Sequence, residues 1–332
     1  MKIAARIALI VFLVAAASPA SAYLKFGVRV GGRQVTLRWA QTPIRYFVSA
    51  DSTVPGVSVS DFEAAVGRAF NSWQSVPTSS VGYQYGGRTS ARPGEDDGTS
   101  TLGFASHPEQ DRVLAATDFL IDTTTGSLIE SDIFFNSSFN WSVASNGEAD
   151  KYDLESIALH EIGHFSGLGH SALGETELRD GGGRRVISAE AVMFPIAFVA
   201  GSIASRTLKA DDIAGISDLY PDGDFASEGS ISGRVTKNGA GIFGAHVIVF
   251  DPITRKMVAG FTLTNNGEFS IGGLSPGPKV VRVEPLDDAD TDSFFDPSRT
   301  VDVNFRVLLY DRLVVVPRGG DSGSIELPVV SK

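Results

Sequence analysis

The stretch HEIGHFSGLGH, residues 160–170, holds three of the chain's five histidines and decides how the rest is read. On a helix, His160 and His164 lie four apart and project from one face, one turn above the other. That spacing lets two imidazoles reach one ion at the zinc–nitrogen distance of about 2.0–2.1 Å. Glu161 is not needed as a ligand and is placed to take a proton from water that the ion acidifies toward a pKa of about 7. Gly167 can adopt the left-handed backbone that ends a helix. Such a turn returns His170 as third ligand and leaves a fourth position for water or a substrate carbonyl. A bare HExxH arises by chance on surface helices; the extended HExxHxxGxxH spacing leaves that reading little room.

Around this stretch the periodicity changes along the chain. TLRWAQTPIRYFVSA, 36–50, reads as strand material with a turn at Pro43. Ser60 or Asp61 can cap a following helix in which Phe62, Ala65, Val66, Ala69, Phe70 and Trp73 repeat at three and four. Val113–Ile121 and Leu128–Asn136 read as strands joined by the turn-rich DTTTG. A second helix is expected from Asp153, whose side chain can accept from first-turn amides, with Glu155 favourable to the helix dipole. A third is expected over about Ala210–Tyr220. This order is α+β. After Pro221, PDGDFASEG reads as a polar linker, and short alternating segments such as SISGRVTK, AHVIVFD, KVVRVEP, TVDVNFRVLLY and SIELPVV predict an all-β sandwich.

Composition bounds the function. The chain has 332 residues, enough for two domains, with 42% hydrophobic and 20% charged residues. A net charge of -11 without a Lys/Arg cluster disfavours nucleic acid as a partner. Lys2 and Arg6, the apolar run Ile7–Ala17 and Ala20-Ser21-Ala22 form a signal-peptide pattern, with cleavage expected after Ala22. That run, and Val192–Ala204 with its Pro195 and Gly201, are shorter than the roughly 20 residues a membrane-spanning helix needs. A secreted or periplasmic protein without a membrane span is expected. The chain has no cysteine, so disulfides, thiol catalysis and a thiol latch are excluded.

The extended motif matches the metzincin signature, and the likeness continues outside it. AVMFP, 191–195, resembles the Met-turn, placing Met193 as an apolar floor under the metal. Ser171 after the third histidine resembles the matrixin branch. LRWAQTPIRYFV, DFEAAVGRAFNSWQSV, YDLESIALHEIGH and LKADDIAGISDLYP resemble that family's first strand, first helix, active-site helix and final helix. The resemblance covers about residues 36–221. It implies a zinc metalloendopeptidase with an α+β metzincin-type catalytic domain, a twisted sheet plus three helices divided by a cleft. His160, His164 and His170 would bind one catalytic zinc, and Glu161 would be the general base. The strand around Leu114–Phe119 would form the cleft's upper rim, where an extended peptide could add as a further strand. Pro195–Phe198 would line the pocket for the residue after the scissile bond, with Ile196 and Phe198 favouring an apolar one. The family's structural-zinc histidines are absent from VLAATDF and SDIFFN. The Gly-rich segment between His170 and Met193 has no role assigned from sequence. An inactive relative serving adhesion or binding is the alternative, against which an intact Glu161 beside three intact ligands argues.

The expected organisation is a signal peptide at 1–22, the metalloprotease domain at 23–221, a linker at 222–229 and a β-sandwich at 230–332. ISGRVTKNGAGIFGAHVIVFD with GEFSIGGLSPGPKVVRVEP resembles the carboxypeptidase regulatory-like, transthyretin-type sandwich, which implies a non-catalytic folding aid or adhesion module. GEDDGTS, 94–100, and Asp122–Asp132 offer oxygen donors for calcium, with an ordinary acidic loop as the alternative. GGDSGS, 319–324, superficially resembles a serine-protease loop, but His246 lies in an alternating strand and a Gly/Ser hairpin turn is expected instead. His107 reads as a surface histidine. A monomer acting on extended protein or peptide substrates is expected.

Overall fold

The computed structural model describes residues 4–7, 24–30, 33–180, 182–286 and 289–332. The expected leader lies outside them except for Ala4–Ile7, which pairs antiparallel with residues 119–122. The first helix, α1, spans Val59–Gln74 and buries the stripe Phe62, Ala65, Val66, Ala69, Phe70 and Trp73. Its cap is Ser58, earlier than either residue expected. Asp61 serves as the third helical residue of a capping box: the Ser58 hydroxyl accepts from the Asp61 amide, and the Asp61 carboxylate accepts from the Ser58 amide. The second helix, α2, spans Leu154–Phe165 and is capped, as expected, by Asp153, which accepts from the Ser156 amide at 2.9 Å. The Trp73 indole donates to the Leu159 carbonyl at 2.8 Å, fastening α1 to α2 inside one apolar core.

A twisted seven-stranded sheet packs against these helices. Its main path runs Ala4–Ile7, Ala115–Asp122, Ser127–Asn136, Thr101–Ala105, Ile44–Ser49 and Tyr83–Thr89. The strand expected as the upper rim is thus next to the edge. Ala4–Ile7 pairs no further than Phe119, so its register does not reach Ala115–Asp118, the stretch beside the cleft. The third helix, α3, spans Ala210–Leu219. The Gly-rich segment after His170 forms a hairpin, Gly174–Leu178 with Arg184–Ala189.

Beyond residue 228 the described residues form strands in two sheets around a second apolar cluster. One joins Gly229–Lys237, Ala240–Gly241, Glu268–Leu274 and Asp321–Val329. The other joins His246–Phe250, Met257–Phe261, Gly277–Glu284, Leu308–Leu309 and Val314–Val316. Met257–Phe261 escapes a search for alternation because its last four residues are all buried. TVDVNFRVLLY is strand only at Leu308–Leu309. GGDSGS leads from Val314–Val316, in one sheet, to Asp321–Val329, in the other, so it is a crossing between sheets and not a hairpin turn.

The two parts of the chain meet through buried side chains. Ala210 and Ala214 of α3 pack into the C-terminal cluster, and Leu173 and Ala191 join Ile248 and Ala259. Asp211 accepts from the Ala259 amide at 2.8 Å. Burial raises its carboxyl to about 7, against hydrogen bonds from Ser171 and Ala259 that favour the charged form. In the unfolded chain the group ionises near 3.9. Its ionisation therefore costs stability progressively as pH rises from there to about 7, and the cost is complete above that value. Asp211→Asn is expected to be more stable than the parent at pH 8, with the advantage shrinking toward pH 4. Urea midpoints at the two pH values check this; an advantage independent of pH would contradict it.

Candidate metal centre

The end of α2 explains how the third histidine returns. Ser166 is the cap, and Gly167 follows with φ of 104°. The Leu168 amide donates to the Gly163 carbonyl at 3.0 Å and the Gly167 amide to the His164 carbonyl at 2.7 Å, the paired bonds of a Schellman turn. A side chain at Gly167 would meet the Leu37 carbonyl oxygen at 2.6 Å, so only glycine suits both backbone and space. Reversed by this turn, the chain carries His170 back toward α2, and the Ser171 amide then donates to the Met193 carbonyl at 2.9 Å.

Each imidazole has one nitrogen committed. Nδ1 of His160 lies 2.7 Å from the Val192 carbonyl, that of His164 2.8 Å from Leu168, and that of His170 2.7 Å from Ser293. A carbonyl can only accept, so each Nδ1 carries the proton and each Nε2 is left with its lone pair. Nε2 of His164 and of His170 are 3.1 Å apart, and the ligating atoms of all three lie within 4.8 Å of one another. Two nitrogens on a tetrahedral ion at about 2.0–2.1 Å would be roughly 3.3 Å apart, so the donor set fits zinc. Among the described residues no other group of three such side chains could hold a metal ion. Burial lowers the affinity of all three rings for protons, and for His164 the neighbouring His160 and His170 add to the effect. His170 falls to about 3. The rings are thereby kept neutral, the form that binds metals.

Glu161 is 5% exposed and borders the same cleft. Burial raises its carboxyl to about 7, while the Thr117 hydroxyl, donating to Oε2 at 2.7 Å, pulls the other way. Thr117 comes from the strand Ala115–Asp122, so the upper rim itself orients the carboxylate. The cleft, about 840 Å³, is also lined by Pro195, Ile196 and Phe198. That volume lies within the range of ligand-binding clefts.

Met193 packs against Gly163 of α2. A side chain at Gly163 would meet its sulfur at 2.2 Å. The turn is pinned by Asp212, whose carboxylate accepts from the amides of Val192, Met193 and Lys209 at 2.9, 3.1 and 2.8 Å. One α3 residue thus holds both Met193 and, through Val192, the acceptor of His160. Thr117, Asp212 and Ser293 were not singled out from sequence. The one available signal was Asp212 at the start of a helix, which reads equally well as a dipole effect. His246 is buried far along the chain with Glu284 at 3.1 Å as its partner, and His107 pairs with Glu109; neither enters the centre.

Three neutral imidazoles that could hold a metal ion and a protonatable carboxylate thus lie along one cleft. Comparison with known proteins points to the same class. Residues 38–179 match the family model described as Matrixin. The chain is 27% identical over 200 residues to metalloendoproteinase 1-MMP of Arabidopsis thaliana, covering 55% of this chain and 44% of that protein. It is 29% identical over 176 residues to metalloendoproteinase 1 of Glycine max, covering 48% and 45%, and 38% identical over 91 residues to the Arabidopsis metalloendoproteinase 5-MMP, covering 24% and 21%. The chain spans less than half the length of these curated relatives. Together these findings support a matrixin-type metalloprotease.

Gly163→Ala tests the packing under the metal centre. Alanine ordinarily favours a helix interior by about 1 kcal/mol over glycine. Here its methyl would press on Met193 and lie 3.0 Å from buried Trp73. A net loss of about 1–3 kcal/mol is expected from overpacking, measured by denaturant unfolding; a stabilised variant would contradict the arrangement.

Proposed function

We propose that the protein is a secreted zinc-dependent metalloendopeptidase with one catalytic zinc. The observation that carries this reading is the convergence of three bare Nε2 atoms beside the buried Glu161 carboxyl in an open cleft. Bound to His160, His164 and His170, the ion supplies the Lewis acidity that polarises a carbonyl and acidifies water. Glu161 takes the proton of the attacking water and hands it to the departing amine, a shuttle for which a pKa near neutrality is well matched. Thr117 holds that carboxylate in register with the cleft. The peptide lies extended along the strand around Leu114–Phe119, and Ile196 and Phe198 receive an apolar residue after the scissile bond.

The proposal extends to organisation: a signal peptide at 1–22, a catalytic domain at 23–221, a linker at 222–229, a carboxypeptidase regulatory-like sandwich at 230–332, and a monomeric state. Secretion is supported by the n-region, apolar run and small-residue cleavage pattern. Calcium remains a proposal from the oxygen donors of 94–100 and Asp122–Asp132, with an ordinary acidic loop as the alternative.

The test compares the parent and Glu161→Gln on an unfolded casein-type substrate. A chelator is expected to abolish turnover and added zinc to restore it. The Gln variant is expected to bind one zinc per chain and lose about 10²- to 10⁴-fold in kcat. Equal turnover of the two proteins, or none in either with zinc bound, would favour the adhesion or binding alternative.

A further inference from the structure

We infer that the turn at residues 291–297 of the C-terminal part completes the metal centre, with the Ser293 carbonyl positioning the third ligand. This inference rests on the zinc reading above and departs from the expectation that the C-terminal part is a separable folding aid or adhesion module. Two of the three imidazole acceptors, Leu168 and Val192, lie in the same part of the chain as the histidines. The third does not: Ser293 is 123 residues beyond His170.

The turn is built to hold that carbonyl still. The Ser293 amide donates to the Asp290 carbonyl at 2.9 Å, and the amides of Phe294 and Phe295 donate to Thr291 at 3.1 and 3.0 Å. Phe294 and Phe295 are fully buried. Their rings lie 5.6 and 5.2 Å from that of Phe261, and Phe295 is 5.0 Å from Phe243. Leu24, Ala172 and Ile196 from the catalytic part join the same cluster. The turn is therefore wedged between the two parts. Asp292, Ser293 and Pro297 also line the cleft, so the same seven residues, 291–297, form part of its wall.

Without this acceptor, His170 would lose the bond that fixes both its ring orientation and its Nδ1-H tautomer. Its neighbour after the turn, Ser171, is held independently by Met193, so the loss would fall on the imidazole and not on the path of the chain. Acceptors of this kind, one shell outside a metal, are worth about 10- to 100-fold in affinity. Ser293 is a positioning residue, since it acts through His170 and does not touch the reacting atoms.

The experiment uses the full chain and measures zinc affinity by chelator competition, together with the ¹⁵N shifts of His170 in the metal-free protein. Ser293→Pro removes the amide that closes the turn and restricts residue 292, moving the carbonyl without emptying the core. Phe294→Ala loosens its anchor, and Phe294→Leu refills it. Phe269→Ala weakens the C-terminal core away from the centre. The expected result is zinc binding about 10- to 100-fold weaker in Ser293→Pro and Phe294→Ala, near-parental in Phe294→Leu and unchanged in Phe269→Ala. In the two weakened variants His170 should lose its Nδ1-H preference. Should Phe294→Ala fail to fold, Ser293→Pro decides alone. Parental zinc affinity and tautomer in folded Ser293→Pro, with His160→Ala devoid of zinc, would overturn this inference and leave the metalloprotease reading standing. A parent chain that takes up no zinc would sink both.

Discussion

Three carbonyl groups, each accepting a hydrogen bond from the Nδ1–H of an imidazole, are what the rest of the centre depends on. An imidazole can offer a lone pair to a metal only from a nitrogen that carries no proton, and in a neutral ring the other nitrogen must then carry it. Val192, Leu168 and Ser293 impose that choice on His160, His164 and His170 together. Burial reinforces it by making a charged ring costly. A metal would be met by donors already neutral and already aimed.

These carbonyls come from three different places, and each has its own support. Leu168 belongs to the turn that closes α2, held by the freedom of Gly167 to take a left-handed backbone. Val192 sits in the turn that carries Met193, tied down by the Asp212 carboxylate. Ser293 rides on two buried phenylalanines. Glu161 follows the same logic with opposite chemistry. Its carboxyl is pushed up by burial, yet Thr117 gives one oxygen a fixed partner.

The legible part of the centre was the part governed by short-range spacing. Histidines four apart on a helix share a face whatever surrounds them, and a glycine before the third histidine signals a reversal; both local facts hold in the structure. The stripe of α1 and the Asp153 cap were legible for the same reason. What could not be read was the choice of backbone acceptors, because every residue carries a carbonyl and none announces its use. Thr117 looks like any threonine in an alternating strand. Asp212 looks like a favourable acid in a first turn. Ser293 falls in a turn-rich segment whose two phenylalanines read as local packing, although they bridge residues far apart in sequence. In the C-terminal part, alternation found most strands and missed Met257–Phe261, where burial on both faces erases the pattern.

The distance along the chain between His170 and Ser293 also has a temporal meaning. A ribosome delivers residues from the amino end, so all three imidazoles leave the exit tunnel well before the carbonyl that orients the last of them exists. A nascent chain halted anywhere between those two points carries all three histidines and lacks the bond that aims the last of them. The molecule's wiring thus places the completion of this histidine cluster well after the histidines themselves are made.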